Sequence, residues 1–256
     1  MIFAFIFGLA LTRIAAAKRQ SVVALFDGVG DALLVVIGWV LWIAPLGVFA
    51  LAFAVGAGAG GAAFAALLHY VLLVSAVGVL VTLAAYVVAL AGGLKLSAFA
   101  RAMIGPQAVA ISTQSSLASL PAMLAAARLI GVRDQVADVT LPLAVAVFRA
   151  TGPAMNVAVA VYVAHWMGIE ISTGAMIAGI AVGAVASYGA VSLPGQISFF
   201  SSIAPIAFAM GVPVAPLAIL IAVETIPDIF RTLGNVTMDV AVTGAVNRGG
   251  DQQATD

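Results

Sequence analysis

Two apolar runs, residues 34–55 and 62–90, are each long enough to cross about 30 Å of hydrocarbon as a helix. In lipid the backbone must satisfy its own hydrogen bonds, so such runs fold as membrane helices or as a closed barrel. Their continuous rather than alternating apolar character excludes the barrel. Composition agrees. The chain is 64% hydrophobic and 8% charged, with mean hydropathy +1.22, whereas soluble domains carry about 25% charged residues. The fold class is therefore an all-α polytopic membrane protein. With no cysteine, disulfides, thiolate chemistry and Cys-ligated metals are excluded. A formal net charge of zero and a single basic doublet, Lys18-Arg19, imply no nucleic-acid partner. The opening residues place their charges after the apolar run, the reverse of a signal peptide, so residues 2–12 read as the end of a membrane helix.

Pro45 predicts a kink or break within the first apolar run, and GAGAGG (56–61) a turn between the two. Lys95 to Arg101 forms a short charged connection. Two regions are then interrupted by polar residues, 102–127 at QAVAISTQSSLASLP and 173–212 at SYGAVSLPGQISFFSS, with an apolar segment at 139–168 between them. Each contains serines leading into Ser-Leu-Pro, at 119–121 and 192–194, and each precedes an apolar helix with one arginine, Arg149 or Arg231. Such matches arise by chance in Ala-rich chains, or they mark an internal repeat whose broken segments flank a substrate site. Charge distribution favours re-entrant hairpins that enter and leave on one side. Arg13, Lys18, Arg19, Lys95, Arg101, Arg128, Arg133 and Arg248 then all fall in the cytoplasm with the C-terminus, and Glu170 falls outside.

The last apolar segment carries Glu224, Asp228, Arg231, Asn235 and Asp239, spaced 4, 3, 4 and 4. At about 3.6 residues per turn they lie within roughly 80° of one helix face. Inserting each charge at membrane depth costs about 2.5–3.5 kcal/mol on translocon scales. Groups that costly line a substrate or ion path, or else form an internal ion pair that only lowers the cost of insertion.

The same residues carry a resemblance. Asp228, Arg231, Thr232, Asn235, Val236 and Asp239 match D-x-x-R-T-x-x-N-V-x-x-D, the last-helix pattern of the dicarboxylate/amino acid:cation symporter family, the glutamate transporter homologues. Ser115-Ser116 through Leu120-Pro121 resembles that family's first hairpin tip, GAVSLPG (189–195) more loosely its second, and IAPLGVFAL (43–51) its fifth helix. The resemblance implies a glutamate-transporter-like fold with two re-entrant helical hairpins as an inverted repeat. It implies partial scaffold helices in 1–60, a transport core of helix, hairpin, helix, hairpin and helix in 61–246, and a disordered cytoplasmic tail in 247–256. Two departures stand out. Phe148-Arg149-Ala150-Thr151-Gly152 aligns with the family's sodium-liganding N-M-D-G-T, and the chain begins within the fourth helix, so that an N-terminally truncated, divergent member is expected.

The resemblance gives Arg231 the substrate carboxylate, a role suited to a planar, permanently charged fork. Asp228 takes a substrate ammonium, and Thr232 and Asn235 supply neutral hydrogen bonds. Ser115 and Ser116 present polar groups at the first tip, where a half-helix N-terminus favours an anion. Ser192, Leu193 and Gly195 form the second tip as an outer gate. Asp239, with Asn235, is a candidate cation site. Glu224 is either a proton carrier, since burial disfavours a charged carboxyl, or a partner of Arg231. Arg149 adds a second anion contact or fills the vacated sodium site with a fixed cation. His69 and His165 lack partners at metal-ligand spacing, and no metal site is expected.

The expected function is secondary symport of a small organic anion, an acidic amino acid or dicarboxylate, coupled to H+ or Na+ without an organic cofactor. A homotrimer in the lipid bilayer of a bacterial inner membrane is implied. The alternative is a non-transporting paralogue with a structural or regulatory role. No HExxH, GxSxG or cysteine nucleophile is present, so an enzyme is not expected.

Overall fold

A computed structural model describes residues 2–188 and 195–253. Among them every regular element is helical. The chain divides into two compact units, Met1–Ala54 and Val55–Asp256. The first holds α1 (Ile2–Leu11) and the start of α2 (Ala16–Ala91). Thr12 Oγ1 closes α1 by donating to the Leu9 carbonyl at 2.7 Å, and the Phe7 and Phe26 rings meet edge to face at 6.1 Å.

The second unit contains the rest of α2, then α3 (Leu96–Thr113), α4 (Ser116–Leu129), α5 (Asp134–Val147), α6 (Thr151–Trp166), α7 (Thr173–Ser187), α8 (Gly195–Met210), α9 (Leu217–Leu220) and α10 (Thr225–Gln253). α3 packs on α4 and α7 on α8, while α10 runs against α3, α4, α5, α6 and α8. Two apolar clusters form. One joins Tyr70 and Val74 of α2 to Met155 and Val159 of α6 and Ile203 and Ile206 of α8. The other joins Ala85 of α2, Phe99 and Met103 of α3, Met123 of α4, Leu141 of α5 and Val240 of α10. Ala65–Ala91 and Asp134–Trp166 are long and apolar enough to span a membrane.

Four details depart from the sequence reading. Residues 56–61 and Pro45 lie within α2 rather than at a turn or a break. A turn there would leave backbone groups unpaired in hydrocarbon, whereas a membrane helix tolerates glycine and proline. The first interrupted region breaks among its serines, at Gln114–Ser115, while the Ser119-Leu120-Pro121 tripeptide lies inside α4. Gln114 is left-handed (φ 51°) and Ser115 Oγ accepts from the Ala118 N–H at 3.2 Å, so a helix C-terminus and an N-cap meet at that point. The apolar segment 139–168 is divided by the non-helical residues 148–150. Pro153 signals this break, because proline is accommodated in the first turn of a helix. Finally, the segment read as a disordered tail from 247 is helical to Gln253. Buried Asn247 explains it: its Oδ1 accepts from the Arg133 backbone N–H at 3.1 Å and from Arg133 Nε at 3.2 Å, tying the end of α10 to the start of α5. The Ser192-Leu193-Pro194 tripeptide, where the second interrupted region is expected to break, lies outside the described residues.

Candidate functional site

α9 gives way to a 3₁₀ turn at Ile221–Val223, and α10 begins at Thr225 with Pro227 in its first turn. Glu224 therefore stands just before α10, joined to it by the Asp228 N–H donating to the Glu224 carbonyl at 2.9 Å. The polar stripe keeps one face. Glu224, Asp228, Thr232, Asn235 and Asp239 are all buried, and the Arg231 side chain is 13% exposed.

Arg231 is the hub. Nη2 meets Glu224 Oε1 at 2.7 Å, Nη1 donates to Asn156 Oδ1 at 2.7 Å, and Nε lies 3.4 Å from Asp228 Oδ1. Glu224 Oε2 accepts from the Tyr70 hydroxyl of α2 at 2.9 Å. The Tyr70 ring is held edge to face on Tyr162 at 5.2 Å. One turn along α10, Asn235 Oδ1 accepts from the Thr151 N–H at 3.0 Å and lies 2.8 Å from Thr151 Oγ1, which also donates to the Arg231 carbonyl at 2.9 Å. The start of α6 is thereby fixed to α10. Asp239 is 1% exposed and, among the described residues, neither carboxylate oxygen has a hydrogen-bond partner.

These groups surround a cavity of about 30 Å³, enough for about two waters. It is lined by Arg149, Gly152 and Asn156, by Ser187 of α7, by Ser198, Phe199 and Ser202 of α8, and by Glu224, Arg231 and Asn235. Arg149, Glu224, Arg231 and Asn235, expected from the sequence, thus come together, with Asp228 against Arg231. Thr232 is buried outside the lining. Ser115 also stands outside it and caps α4, and Ser116 is buried in the first turn of that helix. Ser192 and Leu193 lie outside the described residues, and Gly195 opens α8. His69 meets the Tyr162 ring at 5.7 Å, and exposed His165 lies in the last turn of α6.

Sequence reasoning missed Tyr70, Thr151, Asn156, Ser198 and Ser202. Asn156 carried a signal, as an amide inside an apolar helix, and so did Ser198 and Ser202, four residues apart on one helix. Gly234 is a further constraint, because a Cβ there would collide with Thr151 Cγ2 and lie 3.2 Å from Thr82 Oγ1. Gly234→Ala is expected to destabilise the protein by about 1–3 kcal/mol through overpacking, read as a lower unfolding midpoint in detergent.

Compared with known proteins, residues 1–249 match the model of the sodium:dicarboxylate symporter family. The chain belongs to that family. Its members are symporters, not enzymes, and membership makes this an integral membrane protein. The chain is 27% identical over 252 residues to the C4-dicarboxylate transport protein of Rhizobium etli, covering 97% of this chain and 56% of that protein. It is 28% identical over 236 residues to the proton/glutamate-aspartate symporter of Escherichia coli, covering 91% and 53%. With the human neutral amino acid transporter A it shares 24% identity over 260 residues, covering 96% and 47%. The chain therefore spans about half the length of these sodium:dicarboxylate symporter family relatives.

Proposed function

We propose that this chain forms the substrate-bearing part of a cation-coupled symporter for a small organic anion, a C4-dicarboxylate or an acidic amino acid, with Arg231 as the group that takes a substrate carboxylate. The part-buried guanidinium of Arg231, presented to a polar cavity and paired with the chain's own Glu224 carboxylate, supports this reading most directly. Glu224 occupies the place of the incoming carboxylate, which displaces it from Nη2. Asp228 receives the ammonium of an amino-acid substrate, and Thr232 and the amide nitrogen of Asn235 supply neutral contacts. A cavity of about 30 Å³ is far below the roughly 300 Å³ of a small-molecule pocket, so binding opens it.

In this reading α3–α4 and α7–α8 are two re-entrant hairpins, with Ser115 and Ser116 at one tip and Ser192, Leu193 and Gly195 at the other. Residues 1–60 belong to a scaffold and 61–246 to the moving core. The assembly is a homotrimer in a bacterial plasma membrane, with the C-terminus cytoplasmic. The proton is the coupling ion. Glu224, Asp228 and Asp239 outnumber Arg149 and Arg231 by one negative charge, and an anionic substrate adds more. In a low-dielectric site that charge is offset as Glu224, once displaced, takes up a proton.

A thermal-shift screen of the purified protein tests the substrate class. Succinate, malate, aspartate and glutamate are expected to raise the unfolding midpoint, while their uncharged diamides leave it unchanged. Stabilisation by the diamides alone would refute an anion site.

A further inference from the structure

A second cavity, of about 150 Å³, lies just past the end of the membrane-spanning stretch Ala65–Ala91. It shares no lining residue with the cavity at Arg231. Leu94, Lys95 and Ala98 line it from the junction of α2 and α3, Leu129 and Ile130 from the end of α4, and Arg248 from near the end of α10. Its volume suits about ten waters, and hence a phosphodiester group.

Two helix ends shape it in the same way. Past α2, Gly93 is left-handed (φ 78°), and the Gly93 and Leu94 N–H groups donate to the Leu90 and Ala89 carbonyls, both at 2.9 Å. Past α4, Gly131 is left-handed (φ 82°), and the Gly131 and Val132 N–H groups donate to the Arg128 and Ala127 carbonyls at 3.0 and 2.9 Å. These closures occupy helix-end carbonyls that would otherwise repel an anion. Gly93 also makes room for Arg248, because a Cβ there would lie 2.8 Å from Nη1. α3 starts at Leu96, so the partial positive charge of its N-terminus falls beside Lys95.

Neither cation is used by the protein itself. Lys95 and Arg248 are exposed, and among the described residues they form no ion pair or side-chain hydrogen bond. By contrast Arg128 pairs with Asp134 at 2.7 Å, and Arg133 Nε donates to Asn247 Oδ1 at 3.2 Å. Leu129 in the cavity wall is exposed, as is Leu96 next to Lys95. Free cations in an apolar wall at the end of a membrane helix suit a lipid phosphate whose acyl chains cover the leucines.

We propose that this cavity binds the headgroup of an anionic phospholipid, with Lys95 and Arg248 holding the phosphate oxygens and Leu96 and Leu129 lying along the acyl chains. A free phosphate would satisfy the cations but not the leucines. The proposal needs the chain only to sit in a membrane, so it stands apart from the carboxylate site at Arg231.

The test is thermal unfolding of the purified, delipidated full chain in detergent. It is titrated with dioleoylphosphatidylglycerol, dioleoylphosphatidylcholine, or inorganic phosphate at constant ionic strength. Phosphatidylglycerol is expected to raise the midpoint at lower concentration than phosphatidylcholine, and inorganic phosphate to leave it unchanged. Lys95→Gln and Arg248→Gln should each need about fivefold more phosphatidylglycerol for the same rise, and the double variant about thirtyfold more. Arg101→Gln, which removes an exposed charge of α3 outside the cavity, should respond as wild type. A double variant that responds as wild type, an equal loss in Arg101→Gln, or a rise with inorganic phosphate that the double variant abolishes would each overturn the proposal. If the double variant does not fold, a wild-type response in either single variant overturns it.

Discussion

Arg231→Ala is expected to weaken carboxylate binding by about 30-fold to several thousand-fold, the equivalent of 2–5 kcal/mol for one partner of a buried charged pair. Two costs combine. The substrate loses its charge-assisted contact, and Glu224 and Asp228, which lie 2.7 and 3.4 Å from the guanidinium, are left without it. The second cost falls on the free protein too, so the variant should also lose about 3–5 kcal/mol of stability. The two effects are separable. Adding Glu224→Gln to Arg231→Ala removes one stranded charge and is expected to recover stability but not binding. Arg231→Lys keeps the charge but loses the fork that engages Glu224 and Asn156 together, so it should recover stability better than affinity. Calorimetric titration and thermal unfolding of the three variants check this. Unchanged affinity in Arg231→Ala would make the arginine purely structural.

Carboxylate affinity is expected to rise as pH falls, by up to tenfold per pH unit for one coupled proton. Glu224→Gln should flatten that dependence. Glu224 is held by Arg231 at 2.7 Å and by the Tyr70 hydroxyl at 2.9 Å. A substrate carboxylate at Nη2 takes the first of these and brings a second negative charge into the same enclosure. Proton uptake by the displaced carboxyl relieves both. Because the bound state then holds one more proton than the free state, acid favours binding, and a glutamine at 224 has no proton to gain. Titrations across a pH series in wild type and Glu224→Gln decide the matter. A pH profile identical in the two proteins would remove Glu224 as the carrier.

The polar stripe was legible because periodicity on a single helix is a local property: spacings of three and four put charges on one face wherever that helix packs. Its partners were not. Tyr70 lies 154 residues from Glu224, Asn156 75 residues from Arg231, and Thr151 84 residues from Asn235. These pairings depend on how α2 and α6 pack on α10, which no window of sequence encodes. Helix ends were misread for a related reason. The polar run QAVAISTQSSLASLP does not say which of its residues breaks the helix; the Ser115 cap and left-handed Gln114 set the break at its serines and leave Pro121 inside α4. Pro153, unremarked beside Arg149, was the better signal, since it begins a helix rather than ending one. The tail from 247 is polar enough to suggest disorder, but a single buried amide, Asn247, holds it in place.

Gradient-driven uptake bears most directly on the central claim that Arg231 anchors a transported carboxylate. Full-length protein is reconstituted in liposomes, and radiolabelled succinate and aspartate are offered under an inward pH gradient, an inward sodium gradient, or neither. The account predicts accumulation of at least one of them under the pH gradient, none above the baseline under sodium alone, and loss of accumulation in Arg231→Ala. Uptake that persists in Arg231→Ala, or that requires sodium and ignores pH, would contradict it.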